Sequence, residues 1–499
     1  LKSLKKMRSL ARRPCRSGAS QFRHQRCHAE SRLAARTEPR RFTVTHVREH
    51  RLAGYILPGT EDGPPEPEIS WAKSSGSTST LVTRETDAEA AAAATANKLA
   101  KELGGVSPDL LVFFAKGYGR RFEAIGTILQ RKLGGVAIGC SAEGGVLGFR
   151  GESSEDETHV LSALAISMPG LQVYPFHSSD LDGLPELRRG ATWTKAMQAQ
   201  APPAVLACAC LEPGADVHPW LHGFDRVIYS NASSAKHGYA DRLPFVFGGI
   251  TVGREVYMDG RVYGNGGFGA VLQAPPGGSV DLVMSTGGVP FGPWLRITGV
   301  DSATNLVTSL NGENPRDLLQ PLLRGSHVPT RSGLTLAGVF VDANPQLRAK
   351  DASLSTLTLA GAALQGRPSC LLRPLHSFTE DGHLLLAPLA ESMPYSTGMQ
   401  MQLHGFSEDL AADDFVSRVE HNCTEHGGEK PHAAIVVSCG TRIRETPNAG
   451  GFRKALPETP LAGFFAHAEV GPVGARTYLH ERAIACLMFR GPPSIAKDM

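Results

Sequence analysis

Residues 110–148 read LLVFFAKGYGRRFEAIGTILQRKLGGVAIGCSAEGGVLG, and this stretch decides the fold class. Its apolar start, Leu110–Ala115, has the length and composition of a buried strand. Phe122–Leu133 has the spacing of an amphipathic helix, and Gly135–Gly139 belongs to a second short apolar strand. Strand, helix and strand in this order predict an α/β layer.

A second stretch, residues 433–474, repeats this order near the end of the chain. It reads as an apolar strand, a polar loop, a short helix and another apolar strand. Both stretches end in the pattern Glu-x-Gly-x-x-Gly, at 143–148 and at 469–474, and one more apolar strand follows each. Such self-similarity predicts an internal duplication. The expected fold class is therefore α/β (mixed α+β), with two lobes of similar topology whose mixed sheets are covered by helices.

Changes in composition divide the chain into four parts. Residues 1–51 hold 15 Lys and Arg against 3 acids, which is typical of a disordered tail or of a transit peptide. Residues 52–78 are rich in Pro, Gly and Ser, and we expect a linker that leads into a strand. The two lobes are expected at 79–280 and 281–495. A transit peptide would direct the protein to a chloroplast or mitochondrion, and without one we expect the cytoplasm or nucleus.

Length and composition argue against several classes of protein. The 499 residues exceed the ~250–300 residues that one hydrophobic core supports. After residue 51, 36 basic residues stand against 45 acidic ones, so no nucleic-acid partner is expected. No apolar run approaches the ~20 residues that cross a bilayer, so we expect a soluble protein with no membrane partner. Nine scattered cysteines without a Cys-x-x-Cys pair indicate a reducing compartment.

The two Glu-x-Gly-x-x-Gly patterns are the first candidates for chemistry. Glycine permits positive φ angles and leaves backbone amides accessible to a ligand. Glu143 and Glu469 could hold an ammonium group, while amides near Gly145 and Gly471 receive a carboxylate. Arg442 is a candidate counter-charge, because a guanidinium grips a carboxylate with two hydrogen bonds. Alternatively, both patterns are purely structural: the glycines make tight turns, and the glutamates accept hydrogen bonds from backbone amides.

Small polar residues stand at the end of the strands that belong to these patterns. They are Cys140 and Ser141 in the first stretch, and Ser438 and Cys439 in the second. We include all four among the candidate ligand contacts. The segment around Ser141 resembles a nucleophile elbow without matching Gly-x-Ser-x-Gly, so a hydrolase that uses Cys140 or Ser141 is an alternative. Such a nucleophile would need a base, which the sequence does not place.

Other motifs indicate structure rather than chemistry. Gly264–Gly269 matches the dinucleotide fingerprint as a string, but strands flank it, so it predicts a hairpin. His218 and His222 have a spacing that can chelate zinc, yet no third ligand is apparent. We therefore expect neither a cofactor nor a metal. Thr86 and Glu89 form a capping-box pattern in front of an alanine-rich helix.

Longer motifs of the sequence resemble the FIST domains, which occur as a FIST N and FIST C pair. Residues 133–148 and 246–250 resemble FIST N. Residues 285–293 resemble the beginning of FIST C, and 460–474 are similar to its C-terminal signature. The resemblance covers about residues 75–490, and it makes the first lobe FIST N-like and the second FIST C-like.

The resemblance implies a non-enzymatic sensory module for signal transduction that binds a small polar metabolite, such as an amino acid. Relatives of the family include F-box only protein 22, a substrate receptor of a ubiquitin ligase. A substrate-recruiting or scaffold role with a protein partner in the ubiquitin pathway is therefore an alternative. Residues 1–75 show no F-box pattern, so this alternative depends on analogy alone.

Overall fold

A computed structural model of the chain describes residues 68–74, 76–148, 151–152, 157–179, 181, 183–197, 202–211, 215–234, 244–301, 303–325, 335–340, 370–387, 394–406, 408–440, 454–473 and 476–492. All of them lie in the unit Pro64–Met499. The expected leader at 1–51 lies outside the described residues, as does most of the expected linker.

The first half of the described chain alternates strands with helices. Its elements are β1 (Glu68–Ser74), β2 (Ser77–Thr83), α1 (Ala88–Glu102), β3 (Leu110–Lys116), α2 (Phe122–Leu133), β4 (Val136–Ser141), β5 (Val146–Gly148), β6 (Gly151–Glu152), β7 (Val160–Ile166), β8 (Gln172–Ser178), α3 (Trp193–Met197), β9 (Ala204–Cys210), α4 (His218–Ser234), β10 (Phe245–Thr251), β11 (Val256–Met258), β12 (Arg261–Tyr263) and β13 (Gly266–Gln273).

The second half contains mostly strands. Its elements are β14 (Ser279–Ser285), β15 (Gly288–Asp301), β16 (Leu306–Leu310), α5 (Pro315–Gly325), β17 (Thr335–Phe340), β18 (Leu371–Phe378), β19 (Leu384–Leu386), β20 (Gln400–Phe406), α6 (Glu408–Glu425), β21 (Ala433–Cys439), β22 (Leu461–Ala466), β23 (Ala468–Val473), β24 (Arg476–His480) and β25 (Ile484–Arg490). The mixed α/β fold class expected from the sequence is thus confirmed.

Local sequence signals set several of these boundaries. The expected helix at Phe122–Leu133 is α2, and Gly134 at its C-cap has a φ of 76° that suits glycine. The expected capping box at Thr86 is wrong by one position. Asp87 is the N-cap of α1, and its carboxylate accepts the amide of Glu89. Aspartate at this position satisfies a helical amide as well as threonine would.

Three repeats of one topology make up the main body of the structure. In each repeat, two neighbouring strands run parallel, a third strand is antiparallel to one of them, and a fourth is antiparallel to the third. The strand orders are β2-β7-β3-β4, β8-β13-β9-β10 and β14-β25-β21-β22. The first and third repeats contain the two stretches whose likeness the sequence shows. The second repeat, which extends from β8 to β13, was not predicted from the sequence.

A hairpin after the last parallel strand of each repeat crosses to a neighbouring repeat. The first hairpin, β5-β6, pairs with β22 of the third repeat. The second, β11-β12, pairs with β4 of the first repeat. The third, β23-β24, pairs with β10 of the second repeat. The three repeats are therefore joined cyclically through their sheets.

A six-stranded closed barrel is inserted into the third repeat. Its strands follow the order β15-β16-β19-β18-β17-β20, and they lie between β14 and α6 in the chain. In the other repeats a helix follows the first strand without an insertion of this kind. The division into lobes at 79–280 and 281–495 stays a prediction, and two of the three larger sheets contain strands from both ranges.

The inner faces of the three sheets share one apolar core. Phe114, Phe247 and Phe464 come from different repeats and belong to the same buried cluster. The rings of Phe114 and Phe464 have centroids 5.0 Å apart. Helices cover the outer faces, where separate clusters form against α1 and α2, against α4, and against α6. Alternation of side chains along each strand supplies both faces with apolar groups.

The glycine-rich segment Gly264–Gly269 does join two strands, but the expected hairpin is wrong. β12 pairs with β11, whereas β13 pairs with β8 and β9 in a different sheet. The glycines therefore carry the chain from one sheet to the next. Their turn pattern is local, whereas the pairing of the flanking strands is decided by partners distant in sequence.

Candidate functional site

The carboxyl ends of the parallel strands are the natural place to look for a site. In open α/β sheets, ligands bind in the crevice outside these ends. The last parallel strands of the three repeats end at Ser141, Thr251 and Ala466. We call these ends, together with the following residues 142–145, 252–255 and 467, the strand-end junction.

Three backbone hydrogen bonds connect the three ends pairwise. They join Ser141 N to Glu255 O at 2.8 Å, Phe465 N to Gly145 O at 3.0 Å, and His467 N to Ile250 O at 2.8 Å. Each bond runs between a different pair of repeats. The three strand ends and their turns therefore meet at one place in the structure.

Ser141 has a structural role in this junction. Its Oγ accepts the backbone amides of Arg254 at 2.9 Å and Glu255 at 3.0 Å. Thr251 Oγ1 donates to the Ser141 carbonyl at 2.6 Å and accepts the amide of Gly253 at 3.1 Å. Ser141 is buried, and its hydroxyl holds the turn of the second repeat against the first.

Cys140 lies behind Ser141 in the shared core and is fully buried. Burial raises the pKa of the Cys140 thiol well above its ordinary value, and the neighbouring Cys208 adds to the effect. A thiolate, rather than a thiol, is the nucleophile in cysteine chemistry. The surroundings of Cys140 and Ser141 therefore do not favour a hydrolase.

Two carboxylates lie close together at the rim of the junction. Glu143 is exposed, and its Oε1 accepts the amide of Gly117 at 3.4 Å. Glu255 is half-buried, and its pKa is raised by burial and by the negative charge of Glu143. Neither glutamate forms an ion pair with another of the described residues. Two such carboxylates offer a binding position for a cation.

Basic and apolar side chains complete this rim. Arg254 and His467 are exposed on the turns that follow β10 and β22. Val252 is 54% exposed, which is unusual for a large apolar residue beside a buried strand. A Cβ placed on Gly144 would lie 3.5 Å from Cγ2 of Val252 and 2.8 Å from the carbonyl of Phe465. The glycine thus allows the three turns to approach closely.

The second Glu-x-Gly-x-x-Gly pattern does not form the expected turn. Glu469 and Gly471 lie inside β23, which pairs with β10 on one side and β24 on the other. Glu469 is fully buried, and its Oε2 accepts the amide of Ala483 at 3.0 Å. A Cβ on Gly471 would lie 2.5 Å from the sulfur of Met284. Strand pairing engages Glu469 on both sides and Gly471 on the β24 side, so this backbone is not presented to a ligand as that of a turn would be.

The remaining candidates lie at the end of β21. Ser438 and Cys439 are buried, and Cys439 N donates to Ala483 O at 3.1 Å. Cys439 pairs with Ala466, so this strand end adjoins the junction. Arg442 lies outside the described residues.

Sequence reasoning did not find Glu255, Arg254 or Val252. These residues follow β10 directly, and no repeated motif marks them. The order of Gly253 and Glu255 is the reverse of that in the Glu-x-Gly pattern. The signal that could have found them is the polar turn directly after the apolar strand Phe245–Thr251.

No group of three or more His, Cys, Asp or Glu among the described residues could hold a metal ion. His218 and His222 lie in the first turns of α4, as their spacing suggested. None of the helices in the described ranges combines the length and apolar character needed to cross a membrane.

Comparison with known proteins agrees in part with the resemblance seen in the sequence. Residues 109–313 match the FIST N domain. This range contains the second repeat entirely, together with β3 to β7 of the first. FIST domains in general are sensory, ligand-binding domains of signal transduction. The likeness of 460–474 to FIST C and the relation to F-box only protein 22 stay predictions.

Two curated proteins of Mycobacterium tuberculosis are similar to the chain. They are Uncharacterized protein MT0656 of strain CDC 1551 / Oshkosh and Uncharacterized protein Rv0628c of strain H37Rv. Each is 26% identical over 256 residues, which cover 49% of this chain. The chain spans 60% of the length of these relatives.

Proposed function

We propose that the protein is a non-enzymatic sensor that binds a small ammonium-bearing metabolite, such as an amino acid, at the strand-end junction. One observation supports this proposal most directly. Glu143 and Glu255 come from different repeats, yet they lie close enough for the charge of one to raise the pKa of the other. A bound ammonium group would relieve this repulsion and donate hydrogen bonds to both carboxylates.

Arg254 supplies the complementary charge for the other end of an amino acid. It is exposed on the same turn as Glu255, one residue away in sequence. A guanidinium can hold the carboxylate of such a ligand with two parallel hydrogen bonds. Arg254 is thus proposed as the counter-charge for the ligand carboxylate, the role that the sequence suggested for Arg442. The match to the FIST N domain supports a sensory role, since FIST domains in general bind ligands in signal transduction.

A thermal-shift screen with amino acids, followed by titration calorimetry, tests the proposal. A ligand at about 100 times its dissociation constant should add about 2.7 kcal/mol to the free energy of unfolding. For the ligand found, Glu143→Gln and Glu255→Gln should each weaken binding about tenfold or more, because a charged hydrogen bond contributes ~1.5–3 kcal/mol. Glu420→Gln is the matched control, since Glu420 is exposed on α6, which packs against β14, three strands from β22 in the sheet.

A second variant separates the two ends of the ligand. Arg254→Gln should weaken binding of the amino acid about tenfold, but it should leave the affinity for the corresponding amine, which lacks the carboxylate, unchanged. If no compound shifts the melting temperature, or if both glutamine variants bind as the unchanged protein does, the proposal is wrong. The first of these results would favour the scaffold alternative.

A further inference from the structure

A separate cavity lies against the outer face of helix α4. It has a volume of about 450 Å³, lies between the helix and the loop at Gly183–Leu184, and is partly open to solvent. This volume falls within the ~300–1,000 Å³ that is usual for small-molecule pockets. The residues around it include none from the strand-end junction.

The sequence of α4 explains why the cavity exists. The lining residues of the helix are Pro219, His222, Gly223, Arg226 and Val227. Their spacing of three and four places them on one face of the helix. The opposite face packs Trp220 and Phe224 into the apolar cluster over the second sheet.

Gly223 sets the distance between the helix and the loop. A Cβ at this position would lie 3.1 Å from the backbone nitrogen of Leu184 and 3.2 Å from the carbonyl carbon of Gly183. A larger residue would push the loop away from the helix. The glycine therefore fixes the loop as one wall of the cavity, where Leu184, Pro219 and Val227 give it an apolar lining.

Among the described residues that line the cavity, Arg226 carries a positive charge and none is acidic. His222 has a lowered pKa because of burial first, and then because of Arg476, His218 and Arg226, with Asp216 as the opposing acid. Arg226 is exposed and forms no ion pair with any other described residue. The neighbouring Asp225 instead accepts hydrogen bonds from Thr477 of β24.

We propose that this cavity is a second binding site, which holds a small organic carboxylate with an apolar body. Arg226 binds the carboxylate, and Leu184, Pro219 and Val227 contact the apolar body. A single guanidinium suits a planar carboxylate, which it can hold with two hydrogen bonds. This site differs from the strand-end junction in position, and its lining has no carboxylate to bind an ammonium group.

Titration calorimetry with benzoate tests the second site. We expect benzoate to bind, and acetate and benzyl alcohol to bind at least tenfold more weakly, since one lacks the apolar body and the other lacks the charge. Arg226→Gln should weaken benzoate binding about tenfold or more. The control variant Arg131→Gln removes an exposed arginine from α2 and should have no effect.

Three outcomes would overturn this proposal. They are the absence of benzoate binding at millimolar concentration, equal binding by the Arg226→Gln variant, and tighter binding of inorganic phosphate than of benzoate. Arg254→Gln should leave benzoate binding unchanged, because that residue belongs to the strand-end junction. The two proposed sites can therefore fail independently of one another. An unchanged melting temperature of the Arg226→Gln variant without ligand would show that its fold is intact.

Discussion

The hydroxyl of Thr251 donates a hydrogen bond of 2.6 Å to the backbone carbonyl of Ser141, across 110 residues of sequence. Both residues end a parallel strand, and they belong to different repeats. The same hydroxyl accepts the amide of Gly253. One side chain thus satisfies two buried backbone groups at the point where the first two repeats meet.

Replacement of Thr251 by valine should therefore destabilise the protein. Valine keeps the shape of threonine but leaves the Ser141 carbonyl and the Gly253 amide without this partner. We expect a loss of about 1–3 kcal/mol in the free energy of unfolding, measured by urea denaturation. Thr86→Val, at an exposed position before α1, should change it by less than about 0.5 kcal/mol. Equal effects of the two changes would contradict this assignment.

Gly253 should not tolerate a side chain. A Cβ at this position would lie 1.9 Å from the Ser141 carbonyl oxygen, which is backbone and cannot move aside easily. We expect Gly253→Ala to lower the melting temperature by several degrees, as one or more kcal/mol does in a domain of this kind. Gly264→Ala is the control, because nothing lies within 4 Å of its Cβ. A Gly253→Ala protein with an unchanged melting temperature would show that the junction is looser than described.

The buried ion pair between Arg490 and Asp281 should be essential for stability. Nη1 of Arg490 lies 2.8 Å from Oδ2 of Asp281, and the arginine is 2% exposed. Asp281→Asn keeps the size of the side chain but leaves a buried charge uncompensated, so we expect a loss of about 3–5 kcal/mol on chemical denaturation. The exposed pair of Lys454 with Asp413 provides the comparison, and Asp413→Asn should cost less than about 1 kcal/mol.

Asp225 should make stability depend on pH. Burial raises the pKa of this carboxyl to about 7 from its ordinary value of 3.8, although hydrogen bonds from Thr477 act in the opposite direction. The folded state therefore holds a proton that the unfolded state releases between about pH 4 and 7. The contribution of protonated Asp225 to the free energy of unfolding is therefore fully present below about pH 4. It decreases as the pH rises and is lost as the pH passes about 7.

The Asp225→Asn variant isolates this contribution. Asparagine does not titrate, so the unfolding free energy of the unchanged protein minus that of the variant should fall as the pH rises from 4 to 7. Above about pH 7 the difference should become constant. Denaturant titrations at several pH values measure it, and a difference that stays level or rises between pH 4 and 7 would show that the pKa of Asp225 is not raised.

Cysteine labelling tests whether Cys140 is available for chemistry. Cys140 is fully buried with a raised thiol pKa, whereas Cys423 is half-buried. Iodoacetamide at neutral pH should therefore modify Cys423 before Cys140 in the folded protein, as measured by mass spectrometry of the peptides. In urea the two should react at similar rates. Rapid modification of Cys140 in the folded state would instead favour the hydrolase alternative.

The sequence predicted best those elements whose signals are local. Helix α2 has the expected bounds because Phe122, Ile125, Leu129 and Leu133 recur at helical spacing and are all buried. Its glycine stop at Gly134 is equally local. Likewise, the apolar runs that became β3, β4, β21 and β22 were recognisable without knowledge of their partners.

Features that depend on distant partners were not predictable in the same way. Glu469 carries the same motif as Glu143, yet pairing with β10 and β24 places it inside a strand. The barrel likewise depends on pairs such as Gly288 with Phe406, which no local pattern specifies. Half of the candidate site was therefore expected from Glu143 and Gly145, while Glu255 and Arg254 became apparent only when the second repeat was seen beside the first.

Because the hairpin of each repeat pairs with a neighbouring repeat, the chain cannot be divided between repeats without breaking strand pairs. A fragment cut after residue 313 would retain the whole range that matches the FIST N domain. It would nevertheless lack β22, the partner of β5, and β23, the partner of β10. The edges of β5 and β10 would then be unpaired, and unpaired strand edges promote aggregation. During synthesis, β5 and β10 likewise gain these partner strands only after Leu461–Val473 has left the ribosome.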